Sequence, residues 1–517
     1  MKSVEALCKG IESNALKSSK GEVKLVMIPT LCKQILFALM SEAGKTEKEN
    51  EEIDKLSYAL KMVLVDSYRK AELLNEPFQT YGDTIITTST NVIKRCFETK
   101  NKEDPHVSSI LNNITAILYH CSRGTEKMRN KIANFDALLK VLLTTLNGAW
   151  KGNDETIRIN TMGTLANLPR GKTIIKFAEF PNLLDSVMEI ICTESGQLKG
   201  NGVAFIVNLS FGGRDVALII AEKPKLLHHI GKLLRGENIQ LRMHALMIFD
   251  KLATSETIAV KIEECALNDL LSLFEKQKEG ETQSNQNMLL FASRILAQLA
   301  KGVSKAVMAD KPGIVEKFYE VLIDASNSDE LRKNAIIILE RFASYYQSSA
   351  HANFKKLIDS FKNLLSIKTF NDKITFSLLY KSTHDVDTQV VISSTDGLLE
   401  VLSTIISNDD STDLSRVRAS CIFLNLSTTK ECHEHIVKNK QVLAAIINVC
   451  KQNTTEEGGQ AESRVLLIRT LINLATNKAN RKILRNNVIL LGLLTSACAP
   501  RKTAFVGAKD ALITILP

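Results

Sequence analysis

The sequence predicts an all-α fold laid out as a helical solenoid, and three observations carry that prediction. One phrase (apolar, any residue, Asn, apolar, small) recurs along the chain, most clearly as Leu165-Ala166-Asn167-Leu168 and Ile206-Val207-Asn208-Leu209-Ser210. Its copies are centred on positions 120, 167, 208, 251, 298, 341, 380, 425 and 473, so the steps are 47, 41, 43, 47, 43, 39, 45 and 48. A period near 44 that survives so many steps marks units that pack on their sequence neighbours alone. The composition agrees: 44% of residues are hydrophobic, 5% are aromatic and only nine are proline, which suits an aliphatic core of long helices.

Taken in order, residues 1–42 carry apolar positions at helical spacing, including Val23, Met27, Leu31 and Ile35, with Pro29 inside the run. The charged stretch 44–52 reads as a loop. Helices resume near Leu56 and again from Thr84 to Phe97, and a polar loop follows from Thr99 to His106. Residues 1–107 lack the Asn phrase and are expected to form an atypical N-terminal helical cap shielding the first core edge. Regular repeats are expected over 108–498, and a capping helix over 499–517 closes the chain.

Each repeat reads as three helices. A short first helix follows the phrase (172–179), a second carries a Leu pair such as Leu183-Leu184 (182–192), and a long third ends on the next phrase (196–210). Loops rich in Gly, Asn, Ser, Thr and charge are expected at 147–154, 275–287, 408–415 and 451–462.

The period, the three-helix unit and the phrases centred on Asn167, Asn208, Asn425 and Asn473 resemble the armadillo repeat. The resemblance covers roughly residues 56–517. It is weaker in the middle, where Lys251, Gln298, Arg341 and Tyr380 replace the Asn and the copies could equally be called HEAT-like. The Gly turn that the family places between its first two helices is nearly missing, with only Gly313 and Gly397 near that point. The resemblance implies a right-handed superhelix of about nine to ten armadillo/HEAT-like repeats whose third helices line a concave groove.

Positions seven residues apart share a helix face. Stepping back seven from each phrase centre gives Asn113, Asn160, Asn201, His244, Phe291, Asn334, Lys373, Arg418 and Leu466; stepping back four gives small or apolar residues in the early repeats. The early repeats therefore carry polar–small–polar stripes, Asn160-Gly163-Asn167 and Asn201-Ala204-Asn208. Carboxamides both donate and accept, so such rows suit the backbone of an extended peptide. The resemblance implies that role for Asn167, Asn208, Asn425 and Asn473. A second reading stays open: these residues cap or brace the turn into the next helix.

The later part of the stripe is basic, with Lys251, Arg294, Arg341, Arg418 and Arg469 joining Asn334. Such cations suit an acidic or phosphorylated segment; local ion pairs on a solvated face are the competing reading. Another basic row (Arg158, Lys199, Arg242, Arg332, Arg416, Arg464) has acids close by and is read as an inter-repeat ion-pair ladder.

The remaining classes fare poorly. Net charge is +9 with a pI near 8.9, and no Lys/Arg run forms a nucleic-acid footprint. Gly171-Lys172-Thr173 and Gly44-Lys45-Thr46 lack the earlier Gly of a phosphate loop. Cys432-His433-Glu434-His435 has no second pair to complete a metal site, and no nucleophile setting is recognisable. No catalytic residue, metal or cofactor is expected. Ten single cysteines without a Cys-x-x-Cys pair fit a reducing compartment. The start lacks a signal-peptide core, and the longest apolar run, 488–494, is too short to span a bilayer. A cytoplasmic protein, also compatible with the nucleus, is expected.

The function this reading supports is a non-enzymatic scaffold or adaptor that takes an extended, acidic segment of another protein in the groove. Alternatives on the same fold are a regulator of a small GTPase, a myosin-type co-chaperone, or a vacuolar or axonemal scaffold. A nuclear-import adaptor fits least, because such proteins pair each groove Asn with a Trp four residues earlier. Here those positions hold Gly163, Ala204, Cys421 and Arg469, and the single Trp150 lies in a loop.

Overall fold

The structure is a computed structural model. It describes residues 47–68, 75–98, 104–147, 155–274, 283–302, 304–324, 326–345, 352–366, 376, 379–380, 382–408, 411–451 and 459–485. The first part of the expected N-terminal cap, the loop tips at 148–154 and 452–458, Lys373 and the expected C-terminal helix lie outside the described residues. The chain divides into two compact units, Met1–Lys276 and Gln277–Pro517. All described regular structure is helical.

Unit one holds α1 (Glu47–Tyr68), α2 (Asn75–Glu98), α3 (Pro105–Ser122), α4 (Glu126–Ala133), α5 (Asp136–Leu146), α6 (Glu155–Asn167), α7 (Ile174–Glu179), α8 (Leu183–Thr193), α9 (Gly196–Ser210), α10 (Gly213–Ala221), α11 (Pro224–Leu233), α12 (Ile239–Leu252) and α13 (Glu256–Ser272). The expected triplet 172–179, 182–192 and 196–210 is found as α7, α8 and α9. Successive third helices α1, α3, α6, α9 and α12 lie side by side, as do the second helices α5, α8, α11 and α13.

Two expectations needed correction here. The charged stretch from Glu47 is helical rather than loop: its Glu and Lys residues are good helix formers, and Lys55 pairs with Glu51 at i,i+4. The first and second helices of the last repeat in unit one are fused into the single helix α13.

Unit two holds α14 (Gln283–Leu299), α15 (Ser304–Ala309), α16 (Ile314–Ile323), α17 (Asp329–Tyr345), α18 (Ala352–Ser366), α19 (Val386–Ser394), α20 (Leu398–Ser407), α21 (Asp413–Leu426), α22 (Lys430–Lys438), α23 (Lys440–Lys451), α24 (Gly459–Ala475) and α25 (Lys478–Arg485). Third helices α14 and α17 are neighbours, and so are α21 and α24. The loops expected over 408–415 and 451–462 are shorter than foreseen, because α21 starts at Asp413 and α24 at Gly459.

The helices start where local chemistry supplies a cap. Asp104 accepts from the His106 amide with Pro105 at the first helical position, and Thr412 and Asp385 accept from the amides of Ser415 and Thr388. Gly313 and Gly397 sit at φ +73° and +74° before α16 and α20. Asn182 takes the same left-handed turn before α8 at φ 61°, a conformation that Asn tolerates better than most residues. The expected Gly turn is thus partly filled by Asn.

The core follows the phrase. Leu165, Leu168, Ile206, Leu209, Phe249, Leu252, Phe423, Leu426, Leu471 and Leu474 are buried, as are the Leu pairs 183/184, 226/227 and 398/399. Each such side chain contributes about 1.5–3 kcal/mol by leaving water. Among the described residues no single helix is long and apolar enough to cross a membrane.

The ion-pair ladder runs elsewhere than expected. Arg158 does reach out of its helix, to Glu194 at 2.8 Å, but Arg332 and Arg416 pair within their own helices, with Asp329 and Asp413. The recurring inter-repeat contacts tie an acid in the first turn of one second helix to a donor one repeat later. These are Asp136 to Lys176 at 2.6 Å, Asp185 to Lys223 at 2.5 Å, Glu316 to Lys356, and Glu400 to Asn439 at 2.6 Å. An acid there also meets the positive end of its helix, and Lys356 holds the Glu316 carboxyl below its usual range.

Candidate functional site

The third helices bring the predicted Asn rows onto one face in each unit and also give each Asn a partner. In unit one Asn160 donates to Asn112 Oδ1 (3.3 Å), Asn167 to Ser122 Oγ (3.0 Å), Asn201 to the Ile159 carbonyl (3.0 Å) and Asn208 to the Ala166 carbonyl (2.7 Å). In unit two Asn425 donates to Thr383 Oγ1 (2.8 Å) and Asn473 to Ser427 Oγ (3.0 Å). Every acceptor belongs to the preceding repeat. The accepting hydroxyl is itself oriented: Ser122 and Ser427, which end their phrases, and Thr383, one residue past its own, each donate to a carbonyl three residues back, so the oxygen accepts from the next Asn.

A peptide clamp using the whole carboxamide is therefore corrected. One N–H is committed to holding neighbouring third helices together. Asn160, Asn167, Asn201, Asn208, Asn425 and Asn473 are nevertheless only half-buried, and no described group bonds their Oδ1 atoms. Each keeps an acceptor oxygen and a second N–H. Asn334 is corrected further. It is 8% exposed and donates to Ser293 Oγ at 2.9 Å, so it is sealed between α14 and α17 and does not face a groove. Asn113 behaves likewise, bonding Ser57 and Asp54.

The face in unit one is polar, edged by rings and by the cations Arg123 and Lys251 that lie over them. Tyr119 lies across Gly163, where an added Cβ would come within 2.7 Å of its ring. Phe211, 52% exposed after α9, carries the exposed Lys251 ammonium 5.2 Å from its ring centroid. Lys251 also lies 3.7 Å from Asp250. Between α9 and α12 a cleft of about 420 Å³ is lined by Gly200, Asn201, Ala204, Asn238, Leu241 and His244 among others. Tyr119 and Phe211 were missed in the sequence because their positions, one before and three after a phrase centre, show no periodic signal.

The face in unit two is more basic and partly self-neutralised. Arg294 stacks on Phe291 at 4.5 Å and reaches Glu330 at 3.5 Å, which joins α14 to α17. Arg341 and Arg418 are half-buried, and Arg469 is exposed.

Other candidates resolve into structure. Gly171-Lys172-Thr173 is a 3-10 turn in which the Thr173 hydroxyl donates to the Leu168 carbonyl and accepts from the Arg170 amide. Cys432 and His433 are buried, and His433 Nε2 donates to the Ser427 carbonyl at 2.8 Å, bracing the phrase turn. Among the described residues no three His, Cys, Asp or Glu side chains converge as a metal site would require.

No protein-family model matches the chain, and no curated protein matches it in sequence. Solved structures do. A chain from a structure concerned with the phosphorylation switch that controls the interaction between cadherin and β-catenin superposes with a TM-score of 0.58 at 12% identity, over 99% of this chain and 96% of that one. UNC-45 from Drosophila melanogaster gives 0.46 at 12% identity, covering 99% of this chain and 68% of that one. A computationally designed armadillo repeat protein for modular peptide recognition gives 0.40 at 20% identity, covering 49% and 99%. The likeness is one of fold, and the fold is an armadillo-like helical solenoid.

Proposed function

We propose that the chain is a non-catalytic interaction scaffold whose unit-one third-helix face binds an extended segment of a partner protein. One observation carries the reading: Asn160, Asn167, Asn201 and Asn208 stand in two adjacent rows, braced from behind, each with an acceptor oxygen and an N–H still available. A braced carboxamide loses little side-chain entropy when it bonds a peptide group, which favours binding through preorganisation. A cytoplasmic or nuclear setting belongs to the same proposal and is supported by free thiols such as Cys96, Cys432 and Cys450.

An acidic or phosphorylated partner segment is the finer form of the proposal. It rests on the exposed Lys251 in unit one and the exposed Arg469 in unit two. Arg294 is set aside, being engaged with Glu330. Roles as a small-GTPase regulator or a myosin-type co-chaperone are narrower versions of the same scaffold reading. The test is binding of a randomised, fluorescently labelled peptide library by the full chain and by its Asn167→Ala/Asn208→Ala variant. The expected result is a severalfold weaker capture by the variant at unchanged helicity. Equal capture by both proteins would sink the reading.

A further inference from the structure

The cleft between α9 and α12 has a chemistry of its own. It opens because Gly200 and Ala204 put almost no side chain on that side of α9, and a Cβ added at Gly200 would meet nothing within 4 Å. None of its lining residues carries a formal charge in its ordinary neutral-pH form. Its polar side chains are those of Gln197 and Gln240, both exposed, and of Asn201, Asn238 and His244. Asn201 has spent one N–H on the Ile159 carbonyl and keeps its Oδ1. Asn238 has its own oxygen occupied by the Leu241 amide as the cap of α12.

The His244 ring is asymmetric. Nδ1 is fully buried and has no hydrogen-bond partner, while Nε2 is neither buried in that way nor bonded to any described group. A buried N–H without an acceptor is rarer and costlier than a buried lone pair. The ring proton therefore belongs on Nε2, the accessible nitrogen. Burial also holds the His244 pKa below its ordinary value, which keeps the ring neutral near pH 7. The cleft thus presents a donor, His244 Nε2–H, and an acceptor, Asn201 Oδ1, the latter held by its bond to the Ile159 carbonyl, among side chains without formal charge.

We propose that this cleft is a side-chain pocket selective for the carboxamide of an Asn or Gln in the bound peptide, with His244 Nε2–H donating to its oxygen and Asn201 Oδ1 accepting from its amide. The inference rests on the peptide-binding reading above and names what one subsite of that face selects. A carboxylate entering the cleft would lose water without gaining a cation, and a Lys ammonium would lose water without gaining an anion. An aliphatic side chain would leave both polar groups unpaired.

The experiment uses the full chain and an Ala-based library of nonapeptides in which each position is varied in turn among Gln, Asn, Glu, Asp, Ser, Leu and Lys. At one position Gln or Asn should exceed the other five by roughly tenfold, the scale of two net hydrogen bonds. Two variants then locate the preference. His244→Phe removes the donor, and Gly200→Leu fills the cleft into open space. Both should flatten the preference at that position and leave the other positions unchanged. If His244→Phe fails to fold, Gly200→Leu decides.

Binding without a carboxamide preference, a preference for Ser, or a preference that survives Gly200→Leu would overturn the inference and leave the scaffold reading intact. Absence of binding by every library peptide would overturn both.

Discussion

The side-chain amide of Asn208 donates to the backbone carbonyl of Ala166 across 2.7 Å, linking the ends of two third helices 42 residues apart. A link between the same helix ends recurs, with a side-chain hydroxyl as acceptor, from Asn167 to Ser122, Asn425 to Thr383 and Asn473 to Ser427. The Asn phrase is thus first a repeat-to-repeat fastener, and the groups it leaves over are what a partner can use.

These two roles separate by mutation at the Asn167–Ser122 pair. Ser122→Ala removes the fastener but leaves the outward oxygen of Asn167. It should cost about 1 kcal/mol of stability, the net worth of one hydrogen bond, with peptide capture unchanged. Asn167→Ala should cost a similar amount in denaturant unfolding and also weaken capture severalfold. Identical capture by the two variants would reduce Asn167 to a brace.

Two glycines with opposite surroundings predict opposite effects. A Cβ at Gly231 would lie 2.6 Å from the Cys265 carbonyl oxygen, where α11 crosses α13 and backbone cannot step aside. Gly231→Ala should therefore destabilise by about 1–3 kcal/mol, the usual range for overpacking. Gly200 faces open space inside α9, so Gly200→Ala should stabilise by about 0.5–1 kcal/mol through lower backbone entropy in the unfolded chain. Thermal melts of the two variants read both signs at once.

His106 predicts a pH dependence. Its Nδ1 lies 3.0 Å from Asp54 Oδ2, and that hydrogen bond raises its pKa; nearby charges of Asp54, Asp104 and Glu51 add to the effect, and burial opposes it. A raised folded value means the imidazolium contributes stability fully below the unfolded value of about 6.5. The contribution fades as pH climbs through the folded value. The melting-temperature gap between the native chain and His106→Gln should be wider at pH 5.5 than at pH 8.5. A gap independent of pH would show the contact to be electrostatically idle.

Thiol chemistry should report burial. Cys96 and Cys450 are pushed up to about 12 by desolvation. The thiolate is the reactive species, so iodoacetamide at pH 8 should leave both unmodified in the folded chain and alkylate them on unfolding. Mass spectrometry of tryptic peptides gives the answer, and rapid native labelling of either would contradict their placement.

Much of the architecture is legible in the sequence. The α7, α8 and α9 segments were readable to within two residues because each carries its own apolar stripe, a property of the local chain. The polar starts of α1 and α24 were not. Their Glu, Gly and Gln residues look like loop, and Gly459 is helical where its backbone lies against Asp413, which a Cβ would meet at 2.4 Å. The merger that makes α13 was equally hidden, since the phrase marks the end of each repeat and says nothing of a break within it.

The sequence by itself determined the period, the helical class, the buried leucines and the side of each third helix on which the carboxamides lie. Those follow from spacing along one helix. Only the tertiary structure decided what these side chains touch: Asn334 sealed against Ser293, Asn208 fastened to Ala166 with an oxygen left over, and His244 lining the cleft beside Asn201. The reason is physical. A hydrogen bond is made or lost over a few tenths of an ångström between helices some 40 residues apart, and no pattern of residues along either helix fixes that distance.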